Sequence, residues 1–86
     1  MAEAIHVYQT TILQGGREWT VEAWGEGRAD GSWEGWLVFV PRDGSPPLAT
    51  PRETTQSTLH ALTYWARGLE PIYLEGAFGR ALARAA

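Results

Sequence analysis

Residues 19–41, WTVEAWGEGRADGSWEGWLVFVP, decide the fold and hold four of the five tryptophans. Asp30-Gly31 flanked by alternating apolar residues signals a hairpin, because both central residues of a type I′ turn need positive φ. With that two-residue turn, Ala29 pairs with Ser32. Trp24 then lies opposite Leu37, Glu22 opposite Phe39, Ala23 opposite Val38, and Gly25 opposite Trp36. Side chains alternate between faces along a strand. One face therefore collects Trp19, Val21, Ala23, Trp36, Val38 and Val40, and the other collects Trp24, Trp33, Leu37 and Phe39 among Thr20, Glu22, Glu26 and Arg28. A longer loop, Arg28 to Ser32, with a bulge would slip the register by one and exchange the faces. A sheet covered on one side normally turns a polar face outward, and here neither face is polar.

Working outward, Ile5 to Leu13 is β-branched and aromatic and reads as a strand. A turn at Gly15-Gly16 would set Ile12 opposite Trp19, Tyr8 opposite Ala23 and Val7 opposite Trp24. That adds Tyr8 and Ile12 to the first face and Ile5, Val7 and Leu13 to the second. Beyond Pro41 the segment PRDGSPPLATP is turn chemistry, with a short edge strand expected at Leu48–Thr50. Glu53–Arg67 reads as the main helix. Its N-cap candidates are Thr54, Thr55 and Ser57, its apolar stripe is Leu59, Leu62, Ala66 and Leu69, and Gly68 is placed for a Schellman end against Tyr64. Glu70–Ala86 reads as a second helix with Pro71 at its first position; the alternative is a short strand at Ile72–Leu74 before a shorter helix.

Eighty-six residues make one domain, 1–86, with one small core. The composition, 44% apolar and 20% charged, is that of a globular chain. There is no cysteine, which excludes a disulfide framework and a thiol nucleophile. No apolar run approaches the roughly 20 residues of a membrane span, and the first residues lack a signal-peptide pattern. A cytoplasmic protein is expected. A net charge of −3 argues against nucleic acid, whose affinity comes from cations on phosphate. The aromatic strands lack the basic, glycine-framed pattern of RNA-binding sheets.

Catalytic signals are few. His6 and His60 sit in no recognisable motif. Glu22 and Glu26 share a strand face and form a conceivable acid–base pair, but that work needs a pocket. Gly25, Gly27 and Gly31 precede no helix and so make no phosphate loop. No catalytic residue, metal ligand or cofactor is expected.

The run Asp30–Leu69 is similar to the HicB-like antitoxin pattern. That family joins a glycine-marked turn, a strand ending near proline, a short strand and a threonine-led helix rich in leucine and alanine. The matching residues are Asp30-Gly31, Trp36–Pro41, Leu48-Ala49-Thr50, Glu53-Thr54-Thr55 and Leu59–Leu62. The segment Arg42-Asp43-Gly44-Ser45-Pro46-Pro47 replaces the family's Asp-Leu-Pro-Gly-like stretch, and no DNA-binding tail follows. The resemblance implies a β-β-β-α sandwich that oligomerises and binds a small basic toxin.

The expected fold is α+β: an antiparallel meander of three to four strands, with one main helix on one face and a second C-terminal helix. The expected function is a non-catalytic protein-interaction domain that forms a homodimer through the second face. Its expected interface is Ile5, Val7, Trp24, Trp33, Leu37 and Phe39. Two other functions stay open, an antitoxin-like partner of a small basic protein and a small-ligand or catalytic domain. The second face could also be covered from within, by the last helix or the loop 42–51.

Overall fold

The computed structural model describes every residue from Met1 to Ala86. Its elements are β1 (Ala2–Val7), β2 (Ile12–Gln14), β3 (Arg17–Gly27), β4 (Trp33–Pro41), β5 (Leu48–Ala49), β6 (Thr54–Gln56), α1 (Leu59–Arg67) and α2 (Pro71–Ala85). The six strands form one antiparallel sheet, and both helices pack on it, so the fold is α+β. β3 and β4 are the central pair. β1 and β2 pair with successive stretches of β3, and β6 and β5 with successive stretches of β4. Six strands thus occupy four lanes, the outer two interrupted.

The central hairpin closes on the longer loop. Arg28 N donates to Ser32 O (2.8 Å) and Gly31 N to Arg28 O (3.0 Å). Gly31 has φ +90°, whereas no residue other than glycine has positive φ, so Asp30 does not take the conformation a type I′ turn requires. The Asp30 side chain instead accepts from Ser32 N (2.9 Å) and Ser32 Oγ (2.6 Å). Those bonds, the hydroxyl's first, hold its carboxyl below the usual range. The result is a three-residue loop with glycine at the left-handed position. The register moves by one: Trp24 lies opposite Trp36, Ala23 opposite Leu37, Val21 opposite Phe39, and Gly25 opposite Gly35. The faces of β3 are as expected and those of β4 are exchanged. Trp33, Leu37 and Phe39 point towards the helices, and Trp36, Val38 and Val40 point away.

The first hairpin forms as expected, with φ +61° and +74° at Gly15 and Gly16 and Ile12 opposite Trp19. The expected continuous strand Ile5–Leu13 is broken, because Tyr8–Thr11 leave the ladder between β1 and β2. Pairing resumes with Tyr8 N donating to Val21 O (3.0 Å), Val7 opposite Glu22 and His6 opposite Ala23, then shifts again at a bulge between Ala4 and His6. In this register Tyr8 reaches the core side, where its hydroxyl donates to Ala66 O (2.6 Å) at the end of α1. Burial raises the phenol's pKa.

The main helix starts later than expected, at Leu59, because Thr54–Gln56 pair with Trp33–Gly35 as β6. Thr58 is the N-cap, its Oγ1 accepting from Ala61 N (3.0 Å). Gly68 ends the helix at φ −89°, donating to Tyr64 O and Trp65 O; the left-handed Schellman geometry does not form. α2 begins at Pro71 as expected and is helical throughout.

The core joins Trp19, Val21, Ala23, Leu37 and Phe39 to Ala66 of α1 and to Leu74, Ala77, Phe78 and Ala81 of α2. Phe78 meets Trp19 and Phe39 edge-on, at centroid distances of 5.0 and 5.2 Å. Leu62, with no exposed surface, seats α1 on the sheet. A methyl group on Gly25 would lie 2.5 Å from Leu62 Cδ2, and one on Gly35 2.5 Å from Leu62 Cδ1. The opposed glycines form a notch for that one side chain.

Where β5 gives way to β6, Thr50 splices the lane. Its N–H donates to Leu37 O (2.9 Å), and its Oγ1 accepts from Leu37 N (3.0 Å), replacing a backbone carbonyl. The ladder resumes with Glu53 N donating to Gly35 O (2.8 Å).

Gly35→Ala should destabilise the fold by about 1–3 kcal/mol, and Leu62→Ala alone by about 2–5 kcal/mol. In urea unfolding the double variant should lose clearly less than the sum; plain additivity would mean the notch does not couple them. Thr50→Val should cost about 1–3 kcal/mol by stranding the Leu37 N–H, and hydrogen exchange at Leu37 should quicken.

Candidate functional site

The face of the sheet away from the helices carries Trp24 directly opposite Trp36, with Val38 and Val40 next along β4. Val7, opposite Glu22, is 61% exposed. All four β4 and β3 apolar residues are partly buried, shielded by their neighbours on the sheet. Both helices lie on the other side, where Leu62 fills the glycine notch and Phe78 meets Trp19 and Phe39. Neither the last helix nor its stripe of Leu74, Ala77, Phe78 and Ala81 is available to cover the outer face.

Of the six residues expected to form this surface, the structure places Trp24 and Val7 on it. Leu37 and Phe39 are fully buried under the helices, Ile5 packs against the core, and Trp33 lies over Gly27 on the helix side. These four assignments are corrected, and the turn is the physical cause for the three in β4. The residues missed are Trp36, Val38 and Val40. Their signal was Ser32, whose N–H and hydroxyl both bind the Asp30 carboxylate and so select the longer loop.

Polar groups frame the tryptophans. Trp24 Nε1 donates to Glu22 Oε1 (2.8 Å). Glu26 Oε2 lies 3.7 Å from the exposed amino terminus. Glu34 Oε1 sits between Arg28 Nη1 (3.0 Å) and Arg52 Nη1 (3.5 Å). At the Thr50 splice an open notch of about 530 Å³ is lined by Glu34, Trp36, Thr50, Pro51, Arg52 and Arg84. Arg84 Nη1 donates there to Thr50 O (2.7 Å), the carbonyl freed when the lane breaks.

Elsewhere the titratable groups are scattered. His6 meets Tyr8 edge-on at 4.5 Å on the helix side. His60 lines a shallow notch with Thr63, Tyr64, Arg67 and Gly68, none of which is an acid to orient it. Glu22 and Glu26 are separated along β3 by Trp24 and line none of the larger hollows. A groove of about 530 Å³ between β2 and α2 has Glu75 as its one ionisable lining residue. No group of three or more His, Asp or Glu side chains is placed to hold a metal ion. No helix is long and apolar enough to cross a membrane.

One charged cluster is structural. Glu53, its side chain 6% exposed, accepts from Tyr73 Oη (2.6 Å), Arg80 Nη2 (2.7 Å) and Arg80 Nε (3.0 Å), and Arg80 lies 5.4 Å from the Tyr73 ring centre. Burial opposes the charge on Glu53, but the bonds from Arg80 and Tyr73 outweigh it and hold the carboxyl below its usual range. Burial and then the Glu53 carboxylate push the Tyr73 phenol up to about 12. The cluster ties α2 to the start of β6.

Comparison of the chain with protein-family models, curated proteins and solved structures finds no significant match to any of them.

A depressed carboxyl pKa contributes stability above the unfolded value that is lost as pH falls towards the folded one. Wild type should therefore lose stability more steeply than Glu53→Gln between about pH 5 and pH 3. Tyr73 has the opposite sense, its contribution being lost as pH rises above about 10. Thermal melts across pH check both; parallel acid limbs for wild type and Glu53→Gln would contradict the role given to the clamp.

Proposed function

We propose that this protein is a non-catalytic protein-interaction domain that self-associates through the outer face of its sheet. The observation that carries this reading is the cross-strand pair Trp24 and Trp36, flanked by Val38 and Val40, on a face that no helix of the chain covers. Aromatic residues are enriched in the cores of interfaces, and a contiguous apolar patch on a small domain marks a contact surface. A two-fold dimer is the commonest closed arrangement, and it places the same patch on both copies. The scattered histidines and the half-buried Glu22 and Glu26, which line none of the larger hollows, support a binding role over a catalytic one. A cytoplasmic setting is compatible with a chain that contains no cysteine.

A second reading takes up the small basic partner that the HicB-like resemblance implies and seats it on the same face. The carboxylates Glu22 and Glu26 on either side of Trp24 favour it. The two readings part on mass: self-association needs nothing but the chain, whereas the second requires a basic partner that co-purifies with a protomer.

Wild type should run as a dimer in light scattering. Trp24→Glu and Trp36→Glu should each halve that mass while keeping the circular dichroism spectrum. A wild type that stays monomeric at the highest attainable concentration would end the proposal. Loss of the fold in both variants would assign the tryptophans to the protomer's own stability.

A further inference from the structure

The lane break at Thr50 opens a charged hollow at the edge of the sheet. Thr50 spends its N–H and its hydroxyl on Leu37, and Pro51 has no N–H with which to continue the ladder, so a gap opens between β5 and β6. Arg84, in the last turn of α2, reaches round from the helix side to this gap, where its Nη1 donates to the Thr50 carbonyl (2.7 Å). Arg52 follows Pro51 on the same lane. Together with Glu34 and Trp36 of β4, the two arginines line the open notch of about 530 Å³.

Both guanidinium groups are underused. Five of the chain's seven arginines make an ion pair; Arg67 and Arg84 do not. Arg80 shows the full use of such a group, its Nε and Nη2 both donating to the Glu53 carboxylate. In Arg84 the same fork is unspent, since only Nη1 is bonded, and to an uncharged acceptor. Arg52 Nη1 lies 3.5 Å from Glu34 Oε1 without a hydrogen bond, because Glu34 takes its bond, at 3.0 Å, from Arg28 in the loop after β3. One carboxylate thus stands among three arginines, and the notch keeps an excess of positive charge in a chain whose net charge is −3.

We propose that this notch binds the carboxylate of a small aromatic acid. A planar carboxylate matches the guanidinium fork, which holds it through two parallel N–H···O bonds. The free fork of Arg84 and the donors of Arg52 take the carboxylate. Trp36, Ala49 and Pro51 supply an apolar bed for the ring, where an aromatic ligand stacks offset on the indole. Glu34 borders the notch and repels a dianion more than a monoanion, which favours a carboxylate over a phosphate. Each protomer carries the whole notch, so binding requires no second copy.

The test titrates benzoate into the full-length chain, with benzamide as its uncharged counterpart, and follows the side-chain N–H signals of Trp36, Arg52 and Arg84 by NMR. Benzoate should shift all three together and saturably, and benzamide should bind about tenfold or more weakly. Arg52→Met and Arg84→Met, with folding checked by melting curves, should each weaken benzoate binding about tenfold. Arg84→Met also removes the brace on Thr50, so Arg52→Met carries the test alone if the other variant fails to fold. Arg67→Met removes an arginine that likewise makes no ion pair but lies outside the notch, and should leave the affinity unchanged. Equal binding of benzoate and benzamide, a response that never saturates, or equal weakening by Arg67→Met and Arg52→Met would overturn the site. Acetate or inorganic phosphate binding as tightly as benzoate would overturn the aromatic acid as its ligand. A monomeric wild type would remove self-association and leave this site standing.

Discussion

Leu62 lying between Gly25 and Gly35 is the contact on which the rest of the architecture depends. Two hydrogen-only positions, opposite one another at the centre of the sheet, let the backbone of α1 settle close to the strands. The same notch dictates which way β4 faces. Had the hairpin closed on a two-residue turn, the indole of Trp36 would stand where Gly35 leaves room, and Leu62 would meet a ring in place of a recess. Trp33 completes the arrangement from the other end, its indole lying 3.4 Å from where a side chain on Gly27 would begin. Ring cover of a cross-strand glycine restores buried surface that glycine cannot supply.

Much of this was legible in the residues. The alternation of Trp19, Val21 and Ala23 against Thr20, Glu22 and Trp24 gives the two faces of β3, and Gly15-Gly16 gives the first turn. Pro71 marks the start of α2. What misled was chemistry that fits two geometries. Asp30-Gly31 suits a type I′ turn as well as a type I turn followed by a left-handed glycine, and only the partner of the Asp30 carboxylate, Ser32, separates them. Thr54, Thr55 and Ser57 all look like helix caps, but β-branched residues also suit strands; pairing with Trp33–Gly35 claims the first two, and the cap falls to Thr58. The candidate surface inherited the first of these ambiguities. Trp24 and Val7 were readable because β3 keeps its faces and β1 follows it as far as the bulge beside Ile5, while Leu37 and Phe39 changed places with Trp36 and Val38 through a single extra loop residue.

The mixed character of the sheet now has a physical account. One face is spent on a core that two short helices close, with Phe78 wedged between Trp19 and Phe39. The other face keeps an indole pair and two valines within a border of carboxylates and arginines. Burying that pair in a further layer would add apolar surface worth about 25 cal/mol for each Å² removed from water. For a domain of this size, whose own core is small, such a gain is a substantial addition to its stability.

The ragged outer lanes govern what kind of assembly is open to the sheet. β1 carries a bulge near Ile5 and is severed from β2 by four residues; the opposite lane is cut into pieces of two and three residues among Pro46, Pro47 and Pro51. A newcomer strand zipping along either flank would find few consecutive donors and acceptors in step. Side-by-side templating, the route to endless fibrils, is thereby frustrated at both borders.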